Sequence, residues 1–311
     1  MFGTLFDKVT GLFDKRFVLG LLLPVFAFVA GVGALVATDR GWTPVGSWWR
    51  ALDGTRQLAI GLASAVGIVF IAIVLGTQVV AITRLFEGYW GPLPVDATLG
   101  KLGRRWQNRR RTRLAGRTSD RDYLRFYLGY APTGEVLPTR LGNVLRAAES
   151  YPGDDQRWQL DAVFWWPRLY LLLPDSARAQ IDETRATLDQ MVVLSMLLAA
   201  YVPVAVGFGF AGMRPAVWAW CAVGALVVSR LTYLTAVSAA AAFGELVRCG
   251  FDLFRTDLLK HLGWPIPETL ANERALWLAL GQQLYRRGTS NELQAVLEGP
   301  RPAPAPDAPA A

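Results

Sequence analysis

Histidine occurs once in this chain, at His261, and cysteine twice, at Cys221 and Cys249. A single histidine removes most histidine-based catalytic sites and zinc centres together. Two cysteines are too few for a disulfide framework, and both are expected as reduced thiols. No phosphate-binding loop, GxSxG turn or paired-cysteine spacing occurs. Asp154, Asp155 and Asp161 stand in and beside a polar loop, where carboxylates more often solvate a turn than transfer protons. The expectation is a non-enzyme with no cofactor and no bound metal; a membrane enzyme built on carboxylates alone is the catalytic alternative.

Charge is the other thing missing, and it is missing in long runs. Phe17–Ala37, Leu58–Ile82 and Met191–Phe210 hold no charged residue, and Ala216–Ala241 holds only Arg230. Each run is about as long as the ~20 residues a helix needs to cross a hydrocarbon core. Apolar residues make up 52% of the 311, and mean hydropathy is +0.27, a membrane-like balance. The turn Ala211–Pro215 is too short for a domain, so the last two runs are predicted to fold back on one another.

The fold class predicted is all-α: four transmembrane helices as two hairpins, with a helical cytoplasmic domain inserted between them. The expected order is an amphipathic interfacial helix at 1–16 and a first transmembrane hairpin at 17–83. A cytoplasmic helical domain follows at 84–190, a second hairpin at 191–242, cytoplasmic C-terminal helices at 243–298 and a disordered tail at 299–311. In the first segment Phe2, Leu5, Phe6, Val9, Leu12 and Phe13 recur at helical spacing opposite charges. Residues 299–311 are nearly all Pro and Ala. Small residues four apart, Ala27 with Gly31 and Ala59, Ala63 with Gly67, allow close helix contact. Trp42, Trp48 and Trp49 suit the headgroup layer. Thr139 is a candidate N-cap. Val163–Leu173 is apolar, too short to span and split by Pro167, so it reads as domain core or an interfacial segment. No breaker stands between the cap near Ser176 and Met191, which predicts one helix from about Ser176 to Phe210, on the order of 50 Å long, with Pro203 a candidate bend in its membrane part. The last span is likewise expected to run on into Glu245–Leu262, and Glu268–Arg287 to form a further helix.

Net charge is +7, and its placement sets orientation. Arg40, Arg50, Arg56 and Arg214 flank the spans on one side, while nearly all other basic residues fall on the opposite side. Positive charge stays in the cytoplasm, so both termini and residues 84–190 are expected there, in a multi-pass protein of the bacterial inner membrane. Between Lys101 and Arg121 run nine basic residues with one acid, Asp120. Arg104, Arg105, Arg109, Arg110, Arg111 and Arg113 are the candidate contacts to anionic lipid headgroups, against the plainer role of a topogenic signal. Nucleic acid is disfavoured, because Trp106 is the one aromatic interleaved there and no recognition motif surrounds it.

Within the membrane the candidate polar residues are Arg230, Gln78 and Thr77. Arg230 is either a pore or gating residue or a side chain that reaches back to the interface. Val206–Gly209 echoes a carbonyl filter faintly, and close helix contact explains its glycines better.

The segments Pro138–Asn143, Asp161-Ala162-Val163 and Trp166–Leu169, in the middle third of this chain, resemble a segment of uncharacterised multi-pass proteins of actinobacteria, a family with no known activity. The layout is similar to that of bestrophin-type anion channels, in arrangement alone. Two functions follow as expectations. The first is a homo-oligomeric channel or pore gated through its cytoplasmic domain. The alternative is a non-conducting membrane anchor or sensor that presents a basic surface to anionic lipid and to a cytoplasmic protein partner.

Overall fold

The computed structural model describes residues 15–91, 95–116, 119–131, 134 and 136–286. Nearly all of the surface-helix segment and the whole Pro-Ala tail lie outside the described residues. Within them the chain is all helical, with no strand. In order the helices are α1 (Val18–Arg40), α2 (Trp42–Ala51), α3 (Gly54–Thr77), α4 (Val79–Glu87), α5 (Lys101–Ala115), α6 (Asp120–Gly129), α7 (Arg140–Glu149), α8 (Ala162–Leu172), α9 (Asp175–Phe210), α10 (Pro215–His261) and α11 (Leu270–Gly281). Four of these, α1, α3, α9 and α10, are long and apolar enough to cross a membrane. As the unbroken patterns predict, α9 is a single helix of 36 residues and α10 one of 47.

The chain divides into two compact units, residues 1–100 with 183–240, and residues 101–182 with 241–311. In the first, α1 opens on a wide turn over Val18–Leu22, in which the Leu23 amide donates to the Val18 carbonyl five residues back. The wide turn ends next to Pro24, which has no amide to give the Gly20 carbonyl. Gly31 lets the Tyr201 ring of α9 come close, and the Tyr201 hydroxyl donates to the Gly31 carbonyl at 3.0 Å. A buried serine pair fastens α9 to α10: Ser195 Oγ donates to the Ser229 carbonyl at 3.0 Å, and Ser229 Oγ to the Ser195 carbonyl at 2.9 Å. Nearer the turn, Gly209 seats the Trp218 indole so closely that a Cβ would stand 2.7 Å from it. The glycines of Val206–Gly209 thus serve contact, at least at Gly209. At the same end the Arg214 amide donates to Asp39 Oδ1 at 2.9 Å, and its guanidinium donates to the Thr38 and Asp39 carbonyls.

Helix α3 differs. Asp53 caps it, accepting from the Arg56 amide at 2.7 Å. Leu58, Leu62, Val66 and Phe70 then form an exposed row four residues apart. An apolar surface of this extent has to be covered by something other than water.

The second unit has an aromatic core. Trp165 of α8 and Trp277 of α11 meet edge to face at 4.9 Å, with Leu169, Phe251 and Leu259 packed around them. Thr139 caps α7 as expected, its hydroxyl accepting from the Gly142 amide at 3.0 Å. Asp161 caps α8 through the Val163 and Phe164 amides. Pro167 does not split the apolar segment: α8 runs through it. The carbonyl that Pro167 leaves without a donor belongs to Val163, which is exposed, so water can satisfy it. The expected Glu268–Arg287 helix is present as α11, which continues into a wide helical turn over Gln282–Arg286; Arg287 lies outside the described residues.

Candidate functional site

Two surfaces of the second unit carry its chemistry. The first is α5. Gly103 lies against Pro138, where a Cβ would stand 2.6 Å from the Pro138 carbonyl oxygen. Asn143 holds that neighbouring segment, donating to the Leu137 and Thr139 carbonyls and accepting from the Leu137 amide. One helical turn on, buried Gln107 accepts a hydrogen bond from the Tyr130 hydroxyl at 2.8 Å, and Leu114 packs on Tyr130 and Val136. Positions 103, 107 and 114 therefore mark the packed face.

The opposite face shows Lys101, Arg105, Arg109 and Arg113, all exposed and spaced by four, with exposed Leu102 and Trp106 beside them. The structure thus divides the six arginines. Arg105, Arg109 and Arg113 share the open face. Arg104, Arg110 and Arg111 are half-buried; the Arg111 guanidinium donates to the Gly134 carbonyl, and Arg110 lies 5.9 Å from the Trp106 ring centre. Burial raises the pKa of the Tyr130 phenol, and the positive charges of Arg110, Arg140 and Arg111 partly oppose that rise.

The second surface is a cavity of about 360 Å³. Its wall is α6 and its C-cap, where Tyr123, Phe126, Tyr127 and Tyr130 recur at spacings of three and four and so share one face. Across from them stand Tyr151, Arg248 and the loop residues Asp154, Gln156 and Arg157. The Arg248 side chain is only 2% exposed. It donates to Glu245 Oε2 at 3.1 Å and to the Tyr127 carbonyl at 3.0 Å, and its Cζ sits 4.3 Å over the Tyr127 ring. Its Nε, also buried, has no hydrogen-bond partner.

Arg157 stacks on the other aromatic, its Cζ 3.6 Å from the Tyr151 ring centre. Tyr151 is fixed in turn by donating to both oxygens of Asp252 at 3.0 Å. Burial, reinforced by that carboxylate, pushes the Tyr151 phenol well above its ordinary pKa. Behind it Arg255 pairs with Glu273 at 2.9 Å and lies 4.2 Å over Trp158. Of the cavity residues only Asp154 is a candidate from the sequence, as one of the loop carboxylates. The aromatic period on α6 was the one local signal for it.

The intramembrane candidates stay apart. Thr77 Oγ1 donates to the Val74 carbonyl, and the Gln78 amide reaches only Thr77 Oγ1 at 3.4 Å; both residues are exposed. Arg230 is exposed as well, its guanidinium 5.2 Å over the ring of Tyr233. The Ser195–Ser229 pairing sets its height: Arg230 stands level with residue 194, about one helical turn from polar Gln190 and Asp189. Among the described residues no three His, Cys, Asp or Glu side chains stand together as a metal site. Compared with protein-family models, curated proteins and solved structures, the chain has no match.

Proposed function

We propose that this protein is a multi-pass anchor of the bacterial inner membrane. Four helices span the bilayer as two hairpins, both termini are cytoplasmic, and the open face of α5 lies on anionic lipid. The observation that carries the reading is the composition of that face: four basic side chains in register with Leu102 and Trp106 beside them, and no acid anywhere in α5. A basic residue near an anionic leaflet contributes about 1 kcal/mol, so the row contributes on the order of 4 kcal/mol. The two apolar side chains add insertion at the headgroup boundary.

Arg230 supports the anchor over the pore. A charge at mid-bilayer costs about 2.5–3.5 kcal/mol. One turn from the polar end of α9, with Tyr233 on its cytoplasmic side, the side chain can reach the interface and avoid that cost. The decisive experiment uses the whole protein in vesicles of phosphatidylcholine with and without phosphatidylglycerol. Amide exchange over residues 101–115 is expected to slow in the anionic vesicles. The effect should vanish at about 1 M salt, where the Debye length is about 3 Å, and in the R105Q/R109Q/R113Q variant. Equal exchange in the two lipids would overturn the reading.

The oligomeric channel is the second reading. Its support is the Ala59, Ala63, Gly67 row of α3: Ala59 and Ala63 are exposed on the little-buried span, and among the described residues a Cβ at Gly67 would meet no atom within 4 Å. A ring-sized particle in detergent together with conductance in planar bilayers is the outcome that would replace the anchor by the channel.

A further inference from the structure

We infer that the cavity between α6 and Tyr151 is a binding site for a small planar molecule that carries one anionic group. Three observations carry this. The α6 wall is continuous aromatic surface, and its outermost ring, Tyr123, is 66% exposed, so a flat ring can slide in and stack. Arg248 is held from two sides, by Glu245 and by the Tyr127 carbonyl, while its buried Nε–H lacks an acceptor. Buried donors are almost always paired, and this enclosed one belongs to a residue that lines the cavity. Arg157, stacked and thereby oriented by Tyr151, has no carboxylate within ion-pair distance among the described residues.

The aromatic walls would suit an organic cation equally well. Two guanidinium groups in the lining decide against that and for an anion, which they bind through charge-assisted hydrogen bonds. The one carboxylate in the lining, Asp154, uses Oδ1 to accept from the Gln156 amide at 3.1 Å. Its second oxygen suits an N–H on the ring of the ligand. The volume, about 360 Å³, is that of a small-molecule site. The ligand class is therefore a ring with an N–H donor and a single phosphate or carboxylate, and the two anions are told apart by experiment. The inference is independent of lipid contact by α5.

The test is equilibrium dialysis of the full-length protein in detergent against AMP, 4-aminobenzoate, adenosine and inorganic phosphate. At least one of the first two is expected to bind, and to bind about tenfold more tightly than adenosine or phosphate, which each lack half of the pharmacophore. Which of the two wins assigns phosphate or carboxylate. Arg157→Gln and Tyr123→Ala change half-buried or exposed side chains and leave the core in place; each should weaken the bound probe by about tenfold. If neither ring-bearing anion binds at millimolar concentration, or if both variants bind as the parent does, the inference is wrong.

Discussion

Arg248 sits in the second unit as a charge almost wholly removed from water, and its support is specific. Replacing it with Met keeps volume but leaves the Tyr127 carbonyl and Glu245 without their donor. Glu245 is half-exposed and can rehydrate, so the loss should be about 2 kcal/mol rather than the 3–5 kcal/mol of a fully buried pair. Thermal unfolding in detergent measures it, with Arg157→Gln, on the cavity rim, staying close to the parent. Tyr151 makes a second prediction. Its folded pKa lies above the value near 10 of a free phenol, so its contribution to stability is intact below that pH and is lost as pH rises beyond it. Spectrophotometric titration of tyrosinate should show the latest absorbance step, and Tyr151→Phe should remove that step. Loss of absorbance at about pH 10 in Tyr151→Phe, with the latest step retained, would show that the phenol titrates normally.

Among the elements, α9 and α10 were legible because their apolar patterns run on without a turn signal, α9 continuing through Pro203, and both termini carry ordinary breakers. The caps at Thr139 and Asp161 are local chemistry, and Thr139 could be read from sequence. What failed was also local in appearance but not in cause. Pro167 looked like a break, yet its cost fell on the exposed carbonyl of Val163. The six arginines looked equivalent until Pro138 and Tyr130, both distant in sequence, chose the face of α5 to bury. The cavity was hidden for the same reason: Tyr151 and Asp252 stand 101 positions apart. Glycine placement gives a prediction with opposite signs. Gly209→Ala must displace Trp218 and should destabilise by about 1–3 kcal/mol. Gly207→Ala meets no atom and should be neutral or stabilise by up to about 1 kcal/mol through helix propensity. Paired melting curves decide, and equal effects at the two glycines would contradict the packing at Gly209.

At the scale of the whole molecule, the exposed row of α3 and the uncharged stretches make the same demand on the surroundings. The protein should stay with membranes through an alkaline carbonate wash. A reporter joined after Ala311 should report from the cytoplasm; activity in the outer compartment would reverse the proposed orientation.

Arg214 and Asp39 meet across 175 positions of chain. A ribosome adding roughly 5–20 residues per second needs on the order of ten seconds or more to travel that far. Through that interval α1 carries Asp39 without the Arg214 amide and a bare glycine at Gly31 with no Tyr201 yet made to fill it. Until then the span can lean only on α3, which it meets where Leu21 packs against Gly76, so it is seated on one side well before its polar end is latched.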